Sequence, residues 1–175
     1  MKSQITKFKF QKKGFTLVEV MISIAIITTA LIAMISLITY TTTSINVNKS
    51  RIIAGGLAQE GLEIVKNIRD DNWLHNCPAC DRRGVTTWQV GLSAGDWRVQ
   101  YNLESLLAFS STPLKLDSNG FYQYDSGSDT LFYRKVSILY INNDQMKVTS
   151  AVTWTEGGSS HSISAETRYY NWLKQ

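Results

Sequence analysis

Cysteine, histidine and proline are scarce in this chain of 175 residues, which has two of each. The two histidines, His75 and His161, are far apart in the sequence and do not have the spacing of metal ligands. The sequence also lacks a glycine-rich phosphate-binding loop and a pair of carboxylates suited to general acid and base catalysis. We therefore expect no catalytic residue, no metal site and no cofactor, and we predict that the protein is not an enzyme.

Acidic residues are absent from the first 14 positions, which carry five lysines instead. The whole chain has 18 basic and 14 acidic residues, for a formal net charge of +4. Without those five lysines, 13 basic and 14 acidic residues remain, and the net charge is −1. The positive charge therefore belongs to the N-terminal segment, and the sequence predicts no nucleic-acid partner.

Charge is almost absent from residues 15–40, an apolar run whose one charged side chain is Glu19. As an α-helix this run would be about 39 Å long at ~1.5 Å per residue, enough to cross a hydrocarbon layer of ~30 Å. The lysines on its N-terminal side would keep residues 1–14 in the cytoplasm and place residues 41–175 outside. The sequence thus predicts a single-pass precursor in the plasma membrane.

An amphipathic helix is predicted for residues 45–71, directly after the apolar run. On a wheel of ~100° per residue, the apolar side chains and one glycine share one half of the helix: Ile53, Ala54, Leu57, Ala58, Gly61, Leu62, Ile64, Val65 and Ile68. The polar side chains fall on the other half, with Arg69 at the border: Glu60, Glu63, Lys66, Asn67 and Asp70. We expect one helix from near Phe15 to about Asp71, whose second half packs on the rest of the chain. The adjacent Gly55 and Gly56 predict local unwinding or a bend.

Alternating and aromatic segments predict strands in the C-terminal half of the chain. The predicted strands are Trp97–Leu103, Gly120–Tyr124, Leu131–Ile141, Met146–Thr155 and His161–Tyr170, with a further short strand at Val85–Val90. Short connections between consecutive strands predict an antiparallel meander over about residues 97–170. The predicted fold class is α+β, a long helix packed on a C-terminal antiparallel sheet.

The segment Lys12-Lys13-Gly14-Phe15-Thr16-Leu17-Val18-Glu19 places an acid inside an apolar run, which is costly and therefore indicates function. It resembles the prepilin signature of type IV pilins and of the pseudopilins of type II secretion and competence systems. The resemblance implies that a prepilin peptidase cuts after Gly14, removing a leader of residues 1–14. It also implies that Phe15 becomes N-methylated, that Glu19 guides assembly, and that other pilin or pseudopilin subunits bind through the helix of residues 15–40.

Two further stretches are similar to minor pilins of the modification type and to a minor pseudopilin of type II secretion. They are residues 58–70 and the C-terminal hairpin with Trp154 and Trp172. The resemblance implies the pilin fold for the extracytoplasmic domain of residues 41–175 and a place for the mature protein in a filament. Two other hypotheses stay open: a single-pass anchor that displays a binding domain without forming a filament, and an exported hydrolase.

The hydrolase hypothesis rests on Gly91-Leu92-Ser93-Ala94-Gly95, which matches the G-x-S-x-G pattern of a nucleophile elbow. Such an elbow needs a strand before it and a helix after it, whereas a strand pattern follows Gly95. A glycine-rich turn is therefore the favoured interpretation of this segment.

The only two cysteines, Cys77 and Cys80, form a C-x-x-C motif. A disulfide suits an oxidising exterior and is the favoured interpretation, and free thiols or half of a zinc site are the alternatives. Loop oxygens at Asp117, Asp125 and Asp129 could be read as calcium ligands. They do not complete an EF-hand, however, and their residue types are typical of turns.

Overall fold

The computed structural model describes residues 14–75 and 86–172, and its first element is a 59-residue helix, α1 (Leu17–His75). The helix is continuous through Gly55 and Gly56, so the local unwinding predicted there does not occur. The residues on either side of the glycines explain this. Ala54 and Leu57 are buried, and their packing offsets the weak helix propensity of glycine. The helix also continues beyond Asp71, where the sequence predicts its end.

The chain divides into two compact units, with the boundary between Asn46 and Val47. In the first unit every described side chain as far as residue 43 is exposed. Each serine and threonine of the helix in this stretch donates a hydrogen bond to a carbonyl of the preceding turn: Ser23, Thr28, Thr29, Ser36, Thr39, Thr41, Thr42 and Thr43. These hydroxyls can therefore enter hydrocarbon already paired. By length and composition α1 is able to cross a membrane.

The described residues of the second unit form the rest of α1 and eight strands. The strands are β1 (Gly95–Arg98), β2 (Leu107–Ala108), β3 (Lys115–Leu116), β4 (Tyr122–Gln123), β5 (Ser128–Asp129), β6 (Tyr133–Asn142), β7 (Gln145–Glu156) and β8 (Ser159–Tyr170). One antiparallel sheet has the order β2-β1-β6-β7-β8, and a smaller one has the order β4-β3-β5. The predicted α+β class is confirmed, with α1 packed on a C-terminal antiparallel sheet. Among the described strands, only β6, β7 and β8 form the predicted meander. β1 pairs with β6, although the whole smaller sheet lies between these two strands in the sequence.

The core lies between the amphipathic half of α1 and the inward face of the larger sheet. One cluster centres on Val65, Val136 and Val148, which have no exposed surface. A second joins Leu57 to Phe132 and Trp154. The inward side chains of β6 and β7 follow the alternation that the sequence predicts.

The predicted strand Val85–Val90 is wrong over its described residues. The structure has a 3-10 helix, Thr86–Gln89, in which Trp88 is buried. The Asn72 side chain donates to the Trp88 and Val90 carbonyls, at 3.2 and 2.7 Å. These hydrogen bonds hold the segment against the end of α1, and it forms a 3-10 helix where the sequence predicts a strand.

The predicted strand Trp97–Leu103 is realised only as far as Arg98. The next carbonyl, that of Val99, accepts a hydrogen bond from Arg134, at 2.7 Å. The Gln100 side chain is fully buried and accepts a hydrogen bond from the Tyr124 backbone, at 2.8 Å. In this stretch, side chains therefore make the hydrogen bonds that the backbone of a neighbouring strand would make if β1 were longer.

Two arginines are buried between the helix and the sheet. Arg134 is 2% exposed and donates to the Leu57 and Val99 carbonyls, with Glu60 at 3.3 Å. Arg69 is 7% exposed, although the sequence places it at the border of the apolar face. Its guanidinium lies 4.6 Å from the Trp73 ring centre and 4.7 Å from that of Tyr169, and Asp70 pairs with it at 2.6 Å. Aromatic faces and an acid together compensate the buried charge.

Candidate functional site

The candidate site is the start of α1. Here Gly14 and Phe15, which lie outside regular secondary structure, lead into an exposed apolar helix. The Glu19 amide donates to the Thr16 hydroxyl, at 3.2 Å, and the Val20 amide donates to the Thr16 carbonyl, at 3.2 Å. Thr16 is thus the N-cap of α1 and Glu19 its third residue, the positions of a capping box. An acid there also suits the positive end of the helix dipole. The Thr-x-x-Glu spacing is visible in the sequence, but the role of Thr16 as the N-cap of α1 was not predicted from it.

Glu19 carries a charge on a surface that is otherwise apolar. Phe15 is 79% exposed and Leu17 75% exposed, and Val18 and Val20 are exposed as well. Glu19 itself is exposed, and within the part of the chain that the structure describes its carboxylate has no hydrogen-bond or ion-pair partner. An apolar environment around this helix would make the lone carboxylate costly, so the site can bind a cation supplied from outside the chain.

Gly14 and Phe15 precede the helix and are exposed. A Cβ built on Gly14 would have no atom of the described residues within 4 Å, so none of residues 16–75 or 86–172 lies against this position. The Gly14–Phe15 peptide bond lies outside regular secondary structure, between two exposed residues. Cutting it would leave a new amino terminus close to Glu19 in sequence.

The remaining residues singled out from the sequence belong to other parts of the chain. Cys77 and Cys80 lie outside the described residues. Ser93 is exposed and is followed directly by β1, where a nucleophile elbow requires a helix. Its carbonyl accepts a hydrogen bond from the Trp97 indole, at 2.8 Å, and His161 is stacked on Trp154 on another strand.

The loop acids stabilise the backbone of the smaller sheet. The Asp117 carboxylate accepts hydrogen bonds from the Asn119 and Phe121 amides, at 2.8 and 2.9 Å. The Asp125 carboxylate accepts from the buried Gln100 side chain, at 2.7 Å. Residues 14–75 and 86–172 contain no group of three acids, histidines or cysteines placed to hold a metal ion. Turn formation accounts for Asp117, as its residue type predicts, whereas Asp125 binds a side chain.

Comparison with known proteins gives one match, at the candidate site. Residues 9–35 match the model of the prokaryotic N-terminal methylation motif. The match includes Gly14, Phe15 and Glu19 and ends inside the exposed apolar part of α1. No curated protein and no solved structure matches the chain.

Proposed function

We propose that this chain, which carries the prepilin signature of type IV pilins, is a minor pilin or pseudopilin subunit of a type IV pilus or of a type II secretion-like filament. A prepilin peptidase cuts the precursor after Gly14, and Phe15 is then N-methylated. The mature chain joins other subunits through the apolar half of α1. The observation that carries the proposal is the unpaired Glu19 carboxylate on an exposed apolar helix, just after an accessible Gly14–Phe15 bond.

The amino terminus that cleavage would create at Phe15 and the Glu19 carboxylate carry opposite charges. Cleavage converts the Phe15 amide into an α-amine, which is positively charged at neutral pH, and methylation preserves the charge. A lone Glu19 in hydrocarbon would cost several kcal/mol, and a cation from a neighbouring subunit would offset much of that cost. Pairing the Glu19 of one subunit with the terminal amine of another would fix the axial register between two helices that have no other charged side chain in residues 15–40.

The membrane topology follows from the same segment. The lysines of residues 1–14 stay in the cytoplasm, and the apolar helix holds the precursor in the plasma membrane as a single pass. The second unit then folds outside, and cleavage releases the charged leader from it. This order supports a subunit that is stored in the membrane and then extracted into an extracytoplasmic filament.

We further propose that the chain has a structural role and no catalytic one. The Ser93 segment leads into the strand β1, where a nucleophile elbow requires a helix. The exposed surface of α1 up to residue 43 supports assembly, since the described residues leave these side chains uncovered.

Variants of Glu19 test the proposal. Glu19→Gln keeps a side chain able to cap the helix but removes the charge, and Glu19→Ala removes both. Ser23→Ala is the matched control, because it lies one turn further on and its hydroxyl only bonds to the Glu19 carbonyl. The measurement is the ratio of sheared filament protein to membrane protein on immunoblots.

We expect both Glu19 variants to be processed normally and to lose incorporation by about tenfold, the effect of ~1.4 kcal/mol of lost subunit contact. The Ser23→Ala control should assemble like the wild type. Unchanged incorporation of Glu19→Gln would exclude the pairing role. Absence of the wild-type chain from every filament fraction would favour a membrane anchor that displays a binding domain.

A further inference from the structure

A cleft of about 340 Å³ opens beside α1 at one edge of the second unit. One wall is the last part of α1, and the other is the connection from β1 to β2, residues 101–104. Its apolar lining includes Ile64 and Ile68, each 6% exposed, and Leu103. The polar lining includes Asn67, Asn102 and Glu104.

This lining suits the side chain of an arginine. The apolar stem of an arginine can lie on the two isoleucines while its guanidinium reaches the polar rim. At that rim Asn67 and Glu104 are exposed, and neither side chain has a hydrogen-bond or ion-pair partner in the described part of the chain. The ring of Tyr101, which is 43% exposed, offers an aromatic face to a cation. None of the described lining residues is basic, so the cleft is complementary to a positive charge.

An arginine without an acidic partner lies at the opposite edge of the larger sheet. Arg168 is exposed on β8, and among residues 14–75 and 86–172 no acid pairs with it. It lies directly opposite Lys147 in the β7–β8 register, and like charges in that position repel. Lys147 itself pairs with Glu166, at 3.2 Å. The repulsion favours an Arg168 side chain that extends away from β7, past the free edge of β8.

The cleft and Arg168 lie on opposite sides of α1 but at the same level along it. The neighbour of Arg168 in β8, Tyr169, contacts the Arg69 guanidinium. Asn67 and Asp71 line the cleft and are two residues from Arg69 on either side, about 160° around the helix at ~100° per residue. Two copies placed side by side with little axial displacement would therefore bring the Arg168 of one to the cleft of the other.

We propose that the cleft binds Arg168 of a second copy of this chain. The Arg168 stem lies on Ile64 and Ile68, and its guanidinium pairs with Glu104 and donates to the Asn67 side chain. The occupant is a second copy because the chain carries both halves of the contact, an acid without a partner at one edge and an arginine without a partner at the other.

The direction of α1 agrees with an interface of this kind, and here the inference rests on the proposed function. In one membrane or one filament, α1 of every copy runs in the same direction, so neighbouring copies cannot be related by a two-fold axis that reverses the helix. Contact between two different edges needs no such axis, since each copy offers its cleft on one side and Arg168 on the other. This heterologous contact can repeat from copy to copy, as a filament requires.

Cross-linking in the full-length protein tests the contact. Two copies with different tags are expressed together, one with Ser105→Cys, next to Glu104, and the other with Tyr170→Cys, two residues after Arg168. A short bis-maleimide added to membranes should link the two tagged copies. Ser160→Cys in place of Tyr170→Cys is the control and should not give the link, because it lies about 33 Å along β8 from position 170 at ~3.3 Å per residue. The unaltered chain reports the background from its native cysteines.

Charge exchange in the Ser105→Cys and Tyr170→Cys pair tests the ion pair. Glu104→Arg in the first copy, or Arg168→Glu in the second, places like charges in the contact and should reduce the mixed product at least about tenfold. The two changes together should restore the product, which also shows that both variants are folded. Glu63→Arg in the first copy is the matched control, since Glu63 is an exposed acid of α1 outside the cleft, and it should leave the yield unchanged.

Failure of this contact can be told from failure of the proposed function. The cross-link is measured in membranes and needs neither cleavage after Gly14 nor a filament. A chain that is cleaved and enters filaments but gives no mixed product would refute the contact alone. A chain that gives the product but stays uncleaved would refute the pilin role alone.

Three results would overturn the proposed contact. One is a yield from the Ser105→Cys and Tyr170→Cys pair that is no higher than the yield from the Ser160→Cys control. Another is a mixed product that neither charge variant reduces, or that the double exchange does not restore. The third is an equal loss with Glu63→Arg, which would assign the effect to net charge and not to the cleft.

Discussion

At the scale of single residues, Gly61 is a point where α1 and the sheet approach closely. A Cβ on Gly61 would overlap the Ser150 hydroxyl and would lie 3.2 Å from the Ser150 Cβ and 3.3 Å from the Arg134 Cδ. The sequence analysis placed Gly61 on the apolar face of the helix, but it gave no reason for a glycine there. The reason is the fully buried side chains of Ser150 and Arg134 directly opposite.

Substitution of two glycines in the same helix should therefore have opposite effects. Gly61→Ala should destabilise the second unit by about 1–3 kcal/mol, the usual cost of overpacking, in spite of the better helix propensity of alanine. At Gly56 nothing lies within 4 Å of the added Cβ, so Gly56→Ala should stabilise by up to ~1 kcal/mol. Urea unfolding followed by circular dichroism measures both. Equal effects of the two substitutions would show that the close approach at Gly61 is not rigid.

The buried arginines mark the limit of sequence analysis at this scale. Arg134 shares the inward face of β6 with Val136 and Ile138, so the alternation alone predicts its direction. A charged side chain at such a position conflicts with the expectation of an apolar core, and no sequence pattern shows its partners. The Leu57 and Val99 carbonyls that bind it are 77 and 35 residues away in the chain.

At the scale of elements, the long strands were predictable, whereas of the two-residue strands only β4 lies within a predicted strand, Gly120–Tyr124. Strands β6, β7 and β8 have ten or twelve residues, enough to show alternation. β2, β3 and β5 have two residues each and carry no periodic signal. The 3-10 helix at Thr86–Gln89 was missed because its partner, Asn72, lies on α1.

The contact between β8 and α1 includes a tyrosine whose titration should be measurable. The Tyr169 hydroxyl donates to the Leu62 carbonyl, at 2.8 Å, and burial raises the pKa of Tyr169 from about 10 to about 12. Nearby Asp70 and Glu63 act in the same direction, whereas Arg69 opposes them. Burial also raises the pKa of Tyr124 and of Tyr140.

These shifts predict a loss of stability at high pH. A tyrosine with a raised pKa stays protonated longer in the folded state, so the unfolded state releases its proton first. The contribution of Tyr169 to stability is complete below pH ~10 and falls as the pH rises through ~12. Urea midpoints between pH 8 and 12 should decrease, and Tyr169→Phe should weaken that decrease relative to its own midpoint at pH 8. A wild-type midpoint independent of pH above 10 would contradict the account.

At the scale of the whole molecule, the class and the candidate site were predictable because each has a long or specific sequence signal. The apolar run of residues 15–40 and the helix stripe after it predicted α1, and Gly14, Phe15 and Glu19 lie in the matched motif. Of the smaller sheet only β4 was predicted, within the strand Gly120–Tyr124. The rest was not predictable, since β3 and β5 have two residues each and side chains such as Gln100 bond to distant backbone. The proposed function therefore depends mainly on the first residues of the helix.

The mass of the mature N-terminus tests the central claim most directly. Intact-mass and peptide mass spectrometry of the membrane-extracted protein should show a chain that begins at Phe15, with one methyl group on its amine. Gly14→Leu should leave the full precursor, and since nothing in the described chain contacts Gly14, loss of cleavage would reflect recognition by the peptidase and not misfolding. A wild-type chain that retains residues 1–14, or normal cleavage of Gly14→Leu, would contradict the assignment as a prepilin.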